Sequence, residues 1–271
     1  MSVSSEELKL GTIPVVSPQY ANRDLRILLW GKSGSGKTTL AATAPGRKLF
    51  LNFDPQGYLS VANRDDVLVA DLSGERAALM DRLKEDNFMG VESVIDKSGC
   101  DTVVVDSLTS VSGLALENAV GSGKYKGASI ETPTLGGYGH RNAQTLAFTK
   151  SILRSVAKKG KHLVLITHED SPDRDPSTGA ILSITMMLGG ALPEVVGLRL
   201  SEIWNVTDIG TARRIAIRPC RSRVPMKTRM FRTDGQPEFN WKYDPITNEG
   251  EGISTWYQQW IDTNQRVPIP K

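Results

Sequence analysis

The sequence predicts an α/β fold in which a mostly parallel sheet carries helices on both faces. One observation is the alternation of short apolar runs, each the length of a strand, with segments whose apolar residues recur at helical spacing. A second is a glycine-rich loop at residues 31–36, which follows an apolar run and precedes a helical pattern. Strands that alternate with helices form parallel sheets, because each crossover covers one face with a helix.

The individual elements follow from these patterns in chain order. We predict strands at residues 25–30, 47–53, 67–70, 102–105, 162–167, 201–206 and 213–218. We predict helices at residues 37–42, 75–94, 108–120 and 142–158, and long polar loops at 121–139 and 169–188. Asp208-Ile209-Gly210 predicts a hairpin turn between the last two strands.

The chain divides into three predicted regions. Residues 1–24 contain prolines and little periodicity, and we interpret them as an N-terminal arm. Residues 25–232 hold the alternating elements and form the predicted core. Residues 233–271 carry Trp241, Trp256 and Trp260, which predict a small C-terminal appendage that packs on that core.

Composition excludes several classes of protein. The 271 residues are 39% hydrophobic and 23% charged, as in ordinary globular domains. The longest apolar runs are strand-sized, far short of the ~20 residues of a membrane span, and the acidic N-terminus does not resemble a signal peptide. Cys100 and Cys220 make neither a disulfide framework nor a metal motif. We therefore expect a cytoplasmic protein without membrane contact.

The glycine-rich loop matches the Walker A pattern G-x-x-x-x-G-K-[ST] in full, from Gly31 to Thr38. Its glycines let backbone N–H groups wrap around an anion, and the following helix adds its positive end. Lys37 is expected to contact the β- and γ-phosphates of ATP, and Thr38 to bind Mg²⁺. The predicted nucleotide-binding residues are Gly31, Ser33, Gly34, Ser35, Gly36, Lys37, Thr38 and Thr39.

Residues 102–106 have the form of a Walker B strand, in which apolar residues lead to a carboxylate at the strand end. Asp106 is expected to hold Mg²⁺ through its hydration shell, because Mg²⁺ binds few carboxylates and keeps several waters.

Two further strand ends carry candidate catalytic groups. Asp54 follows the strand directly after the P-loop helix and could orient the water that attacks the γ-phosphate. Asp54 also opens Asp-Pro-Gln-Gly, so a turn aspartate is the alternative. His168 ends the strand at 162–167, where it could bond the γ-phosphate or merely cap the strand. Lys37, Asp54 and His168 are the predicted catalytic residues.

Basic residues concentrate between positions 213 and 232, although the net charge is only +3. Such a basic stripe is typical of a local nucleic-acid contact, and equally of a solvated strand and loop. Its members are Arg213, Arg214, Arg218, Arg221, Arg223, Lys227, Arg229 and Arg232.

In these motifs the chain resembles the phage-encoded RecA-like P-loop nucleotide-binding proteins. Members of that family consist of a minimal RecA core and are grouped with the single-strand annealing recombinases. The resemblance spans roughly residues 25–232. It is carried by residues 28–39, 50–54, 103–109, 137–139 and 165–169, in that order along the chain.

The resemblance implies a RecA-like P-loop NTPase fold, ATP and Mg²⁺ as cofactors, single-stranded DNA as partner, and assembly into filaments or rings. It places the catalytic glutamate of RecA on Asp54 and the γ-phosphate sensor on His168. It also places two arginines that reach a neighbouring subunit's ATP near Arg218 and Arg221. The loops at 121–139 and 169–188 would face DNA, with contacts from Lys124, Lys126, Tyr138 and Arg141.

Annealing, alone or with other phage recombination proteins, is expected rather than full strand exchange, because the resemblance covers only the core. The host bacterial cytoplasm would be the compartment. Three alternatives stay open: a motor or helicase-loading ATPase, a small-molecule kinase, and a nucleotide-gated DNA-binding module with little turnover. A kinase should have an arginine-rich lid, whereas the loop at 169–188 offers only Arg174.

Overall fold

A computed structural model describes residues 24–124 and 129–270, together with residues 9–10 and 13–14. The strands in chain order are β1 (Lys9–Leu10), β2 (Ile13–Pro14), β3 (Arg26–Gly31), β4 (Lys48–Asn52), β5 (Val67–Asp71), β6 (Thr102–Asp106), β7 (His162–His168), β8 (Asp173–Arg174), β9 (Ile181–Ser183), β10 (Glu202–Asp208), β11 (Arg213–Ala216), β12 (Glu238–Trp241), β13 (Tyr243–Asp244) and β14 (Glu249–Gly250).

The helices in chain order are α1 (Lys37–Ala41), α2 (Arg76–Met80), α3 (Val91–Ser98), α4 (Leu108–Gly121), α5 (Leu135–Lys158), α6 (Leu192–Gly197) and α7 (Ile253–Thr263). Two short 3-10 turns cover Gly57–Val61 and Phe88–Gly90. Within the described residues, no helix has the length and apolar character needed to cross a membrane.

The main sheet has eight strands in the order β12-β11-β10-β3-β7-β6-β4-β5. The six strands from β10 to β5 are mutually parallel, and β11 and β12 add an antiparallel edge. The strand β7 lies between β3, which leads into the Walker A loop, and β6, which ends at Asp106. This topology confirms the predicted fold class, a RecA-like P-loop NTPase with a mostly parallel sheet.

Two hydrophobic cores lie on opposite faces of the sheet, because successive residues of a strand point to opposite sides. Leu28 and Trp30 of β3 face the core that contains apolar residues of α3, α4, α5 and α6. Ile27 and Leu29 face the core that contains residues of α1 and α7. The predicted helices on both faces are therefore present.

Two predicted helices have different bounds in the structure. The single helix expected at 75–94 is divided in the structure, because α2 ends at Met80 and turns follow up to residue 87. Positive φ values of 46° at Met89 and 72° at Gly90 then separate the 3-10 turn from α3. The helix expected to begin at 142 begins at Leu135, where the Thr134 side chain accepts a hydrogen bond from Gly137 N–H and caps it. Tyr138 and Arg141 therefore lie on α5 and not in a loop.

The predicted C-terminal appendage, residues 233–271, is joined closely to the sheet. Its strand β12 pairs with β11 in antiparallel register. Trp256 of α7 is 1% exposed and packs edge-to-face against Trp204 of β10, with ring centroids 6.0 Å apart. Of the predicted N-terminal arm, the structure describes the pairing of β1 with β2 and residue Asp24.

Candidate functional site

The Walker A loop connects β3 to α1 through backbone conformations that favour glycine. Gly34 and Gly36 have φ values of 75° and 94°, in the left-handed region that side chains disfavour. Gly31 sits against the neighbouring strand β10, and a Cβ there would lie 2.1 Å from the Val206 carbonyl oxygen. The loop path therefore depends on these glycines, as the motif predicts.

Lys37, the first residue of α1, folds back over this loop. Its ammonium Nζ donates hydrogen bonds to the carbonyl oxygens of Gly31 (2.9 Å) and Lys32 (2.7 Å). Burial lowers the pKa of Lys37 to about 8, against the opposing attraction of Asp106 and Asp54. A buried ammonium held only by carbonyl oxygens is a ready partner for phosphate, which would supply the negative charge that Lys37 needs.

Thr38 and Asp106 are brought together from sequence positions 68 residues apart. The Thr38 hydroxyl donates to Asp106 Oδ2 at 2.8 Å, at the carboxyl end of β6. Burial raises the pKa of Asp106 to about 6, while the bond from Thr38 works in the opposite direction. A hydroxyl and a carboxylate beside a phosphate loop fit a Mg²⁺ ion whose remaining ligands are phosphate oxygens and water.

Asp54 lies at the centre of a hydrogen-bond network. Its Oδ2 is 3.1 Å from His168 Nε2, and its Oδ1 accepts hydrogen bonds from the hydroxyls of Ser107 (2.9 Å) and Ser110. Burial alone would raise the pKa of Asp54, but the hydrogen bonds from His168, Ser110 and Ser107 outweigh it and lower that pKa. The carboxylate is therefore ionised and held in one orientation.

Strand register explains why these groups meet. His168 pairs with Gly31 across β7 and β3, and its backbone N–H donates to the Thr109 hydroxyl at the start of α4. Asp106 pairs with Asn52, two residues before Asp54. Parallel strands end at the same edge of a sheet, so three strand ends place their polar residues in one place.

These residues line one cleft of about 330 Å³, which we call the phosphate cleft. Its lining includes Ser33, Gly34, Gly36, Lys37, Thr38, Thr39, Asp54, Asp106 and His168, all predicted site residues. Gly31 and Ser35 lie at the base of the loop, where the Ser35 hydroxyl is buried without a hydrogen-bond partner among the described residues. The individual roles of these residues stay predictions.

Sequence reasoning missed several residues of this site, including Ser107, Ser110 and Arg213. Ser107 and Ser110 hold Asp54. Ser107 directly follows the Walker B strand, which was its only signal in the sequence, whereas Ser110 lies in α4 and had none. Arg213 also lines the phosphate cleft, and its side chain lies so close to Gly36 that a Cβ there would be 2.6 Å from Arg213 Nε. Arg213 belonged to the predicted basic stripe but not to the predicted nucleotide site.

Among the described residues, the predicted DNA contacts Lys124, Tyr138 and Arg141 do not line this cleft. Arg141 stacks over Tyr138 on α5, with its guanidinium carbon 4.9 Å from the ring centroid, and it contacts Gly189 after the second loop. Lys124 is exposed beyond the end of α4. Lys126 lies outside the described residues.

The two arginines predicted to act on a neighbouring subunit are engaged within the chain. Arg218 donates to the carbonyl oxygens of Thr233 (2.7 Å) and Gly235. Arg221 pairs with Glu238 at 2.8 Å, although its side chain stays 61% exposed. Their action on a second subunit stays a prediction.

Comparison with known proteins identifies the family to which this chain belongs. A model of the AAA domain matches residues 23–229, and no curated protein matches significantly. One similar solved structure is that of a KaiC-like protein from the hyperthermophilic archaeon Pyrococcus horikoshii OT3, with 13% sequence identity over 81% of this chain and 86% of that one. The TM-score is 0.41, which is too low to support any statement about the activity of this chain. Because the AAA domain covers more than half of the chain and contains the phosphate cleft, the protein belongs to the AAA domain family of P-loop ATPases.

Proposed function

We propose that this protein binds and hydrolyses ATP with Mg²⁺ and that single-stranded DNA stimulates the hydrolysis, in phage DNA recombination by strand annealing. The observation that carries the ATPase part is the convergence of Lys37, Thr38, Asp106, Asp54 and His168 on one cleft. Bound MgATP would supply the phosphoryl group that is transferred to water. The chain itself supplies the positioning and the charges.

Each side chain has a task in this proposal. Lys37 would exchange its two carbonyl partners for phosphate oxygens, while Thr38 and Asp106 hold the metal. Asp54 would orient the attacking water. Because its pKa is lowered, Asp54 is a weak base, and orientation suits it better than deprotonation.

His168 is the proposed link between nucleotide and DNA. Its side chain contacts Asp54 and its carbonyl oxygen accepts a hydrogen bond from Met187 N–H at 2.8 Å. Glu169 and Met186 form a bridge at the base of the second loop, and Gly189 beyond it contacts Arg141 of α5. A γ-phosphate that draws His168 away from Asp54 would therefore move the base of a loop next to the proposed DNA contacts.

Assembly belongs to the same proposal. In a filament or ring of identical subunits, Arg218 or Arg221 would approach the ATP of a neighbour. Support for this comes from Arg221, whose exposed guanidinium could exchange Glu238 for a phosphate.

The test is ATP hydrolysis with and without single-stranded DNA, over falling salt concentration. We expect stimulation by DNA and stronger DNA binding at low salt, because phosphate contacts release counterions. Lys37→Ala should lose ATP binding and keep its fold by circular dichroism. Absence of DNA stimulation together with salt-independent DNA binding would refute the recombination role, and unchanged ATP affinity in Lys37→Ala would refute the site.

His168→Ala tests the coupling separately. We expect retained ATP binding and loss of DNA stimulation, because the variant removes the group that joins Asp54 to the second loop. The measurement is the ratio of hydrolysis rates with and without DNA. Full stimulation in His168→Ala would contradict the proposed sensor role.

A second candidate function is a nucleotide-gated DNA-binding module with little turnover. The observation that favours it is the saturation of Asp54, both of whose oxygens are hydrogen-bonded by side chains of the protein itself. Nucleotide-dependent DNA binding with no measurable phosphate release would favour this second function over DNA-stimulated ATP hydrolysis.

A further inference from the structure

A second cleft adjoins the phosphate cleft and shares Arg213 with it. Its volume is about 590 Å³, within the range of about 300–1,000 Å³ that small-molecule sites occupy. One wall is the turn at 208–213 between β10 and β11, and the other is the C-terminal segment 241–245. We call it the outer cleft.

The shared residue, Arg213, differs from the neighbouring arginines in the contacts that its guanidinium makes. Its guanidinium makes no hydrogen bond or ion pair with any described residue, whereas Arg214 and Arg221, on the opposite face of the sheet, both pair with Glu238. Instead, Arg213 lies over the Trp241 ring, with its guanidinium carbon 5.6 Å from the centroid, at cation–π distance. Arg213 thus stands between the two clefts with its hydrogen-bonding capacity unused.

The wall formed by the C-terminal segment is rigid and aromatic. The rings of Trp241 and Tyr243 are stacked, 5.5 Å apart at 16°. Trp241 Nε1 donates to the Glu251 carbonyl oxygen, and the Tyr243 hydroxyl accepts a hydrogen bond from Arg64 Nη1 at 2.6 Å. The opposite wall offers the backbone groups of an exposed turn. Trp241 itself is buried at 2% exposure, so the planar groups open to the outer cleft are the half-buried Tyr243 ring and Arg213 guanidinium. Such planes next to polar backbone suit a nucleobase and its ribose, because bases stack on aromatic rings and arginine planes.

We propose that the outer cleft binds the nucleoside of the nucleotide whose phosphates lie in the phosphate cleft. This inference rests on the proposed function. It makes residues 241–245, which lie beyond the AAA domain match at 23–229, part of the nucleotide site. Arg213 would sit at the junction, between the phosphates and the base.

The experiment compares two ligands, MgATP and magnesium tripolyphosphate, by calorimetric titration of the full chain. Thr211→Trp and Lys242→Trp each place a large side chain in the outer cleft from opposite, exposed walls. We expect each variant to weaken ATP binding by about tenfold or more, the scale of one lost stacked base. Tripolyphosphate should bind within about twofold of wild type, because the phosphate cleft is untouched.

The matched control is Gln265→Trp, at an exposed position that lines neither cleft, and it should bind both ligands as wild type does. Circular dichroism and thermal unfolding confirm the fold of each variant. Unchanged ATP affinity in a folded Thr211→Trp or Lys242→Trp, or an equal loss for both ligands, would overturn the nucleoside assignment and leave the phosphate cleft standing. Failure of wild type to bind either ligand would overturn the proposed function as well.

Discussion

Lys37 and Asp106 are both buried at the phosphate cleft, and burial moves their pKa values towards each other. The pKa of Lys37 falls to about 8 and that of Asp106 rises to about 6, since burial penalises the charged form of either group. Both side chains therefore titrate near physiological pH in the absence of ligand. Binding of phosphate or metal would restore their charges, so nucleotide binding should be accompanied by proton transfer to or from solvent.

Proton uptake should accompany ATP binding above pH 7. At pH 8 about half of the Lys37 side chains are neutral, and a bound phosphate favours the ammonium, so the site takes up protons from buffer. We expect uptake to increase from pH 7 to pH 9, measured by calorimetry in buffers of different ionisation enthalpy. In Lys37→Arg any residual binding should proceed without this uptake, because a guanidinium stays charged. Uptake that does not change with pH would contradict the assignment.

Asp106→Asn should stabilise the ligand-free protein at neutral pH and not at acidic pH. The folded-state pKa of about 6 exceeds the usual 3.8, so the folded carboxyl retains its proton while the unfolded one ionises, and stability falls between these values. Above pH 6 the cost is up to about 3 kcal/mol, and at pH 4 it is nearly absent. The side-chain oxygen of the asparagine can still accept the hydrogen bond that the Thr38 hydroxyl donates.

The free energy of unfolding in urea at pH 4 and pH 7.5 measures this difference. Asp234→Asn, at an exposed position, serves as control. A stability gain in Asp106→Asn that is the same at both pH values would show that charge burial is not its cause.

Which site residues the sequence could predict depends on where they lie. Lys37, Asp54, Asp106 and His168 follow strands, and the convergence of parallel strand ends made their proximity predictable. Ser110 contacts Asp54 from a helix 56 positions further along the chain, and no local pattern indicates such a contact. Arg213 reaches Gly36 only because the hairpin of β10 and β11 folds beside the phosphate loop, which is a property of tertiary structure.

At the scale of elements, the start of α5 shows how a cap outweighs residue propensity. Residues 136, 137 and 139 are glycines, which disfavour helix, and the predicted helix therefore began at 142. The Thr134 side chain satisfies the Gly137 N–H, and α5 begins at Leu135. The signal was present in the sequence as a threonine three residues before a glycine, but glycine content obscured it.

Thr134→Ala should therefore destabilise the protein by about 1 kcal/mol, the usual value of an N-cap hydrogen bond. Chemical denaturation monitored by circular dichroism gives the change. Thr255→Ala, at an exposed position within α7, should have a smaller effect, since Thr255 caps nothing. Equal stabilities for wild type and Thr134→Ala would mean that the first turn of α5 contributes little to the folded state.

At the scale of the whole molecule, the sheet extends further than the predicted core. Sequence periodicity identified seven strands of the main sheet, β3 to β7, β10 and β11, because these contain apolar runs bounded by clear turns. The strand β12 is short, and its Phe239 and Trp241 alternate with polar residues in a region of acidic composition. Its place at the sheet edge is set by pairing with β11, which a sequence pattern does not reveal.

Trp256→Ala should destabilise the entire fold by about 3–5 kcal/mol, as truncation of a buried aromatic residue does. Its ring lies in the same core as Trp204, Phe231 and Phe239. Trp260→Ala, one turn further along α7 and only partly buried, should cost clearly less. Unfolding followed by far-ultraviolet circular dichroism should show a single shifted transition. A separate early transition in Trp256→Ala would instead show that residues 233–271 unfold independently.

One contact ties the helix of the phosphate loop directly to the last helix of the chain. The hydroxyl of Thr43, just after α1, accepts a hydrogen bond from the backbone N–H of Ile253 at the start of α7. Gly252 lies so close to Thr43 that a Cβ at position 252 would be 2.4 Å from the Thr43 side chain. We therefore expect the AAA domain of this chain to depend on α7 for its stability. Without the last helix, Thr43 and the end of α1 would face solvent, so we expect a chimaera to fold only when the domain and this tail are exchanged together.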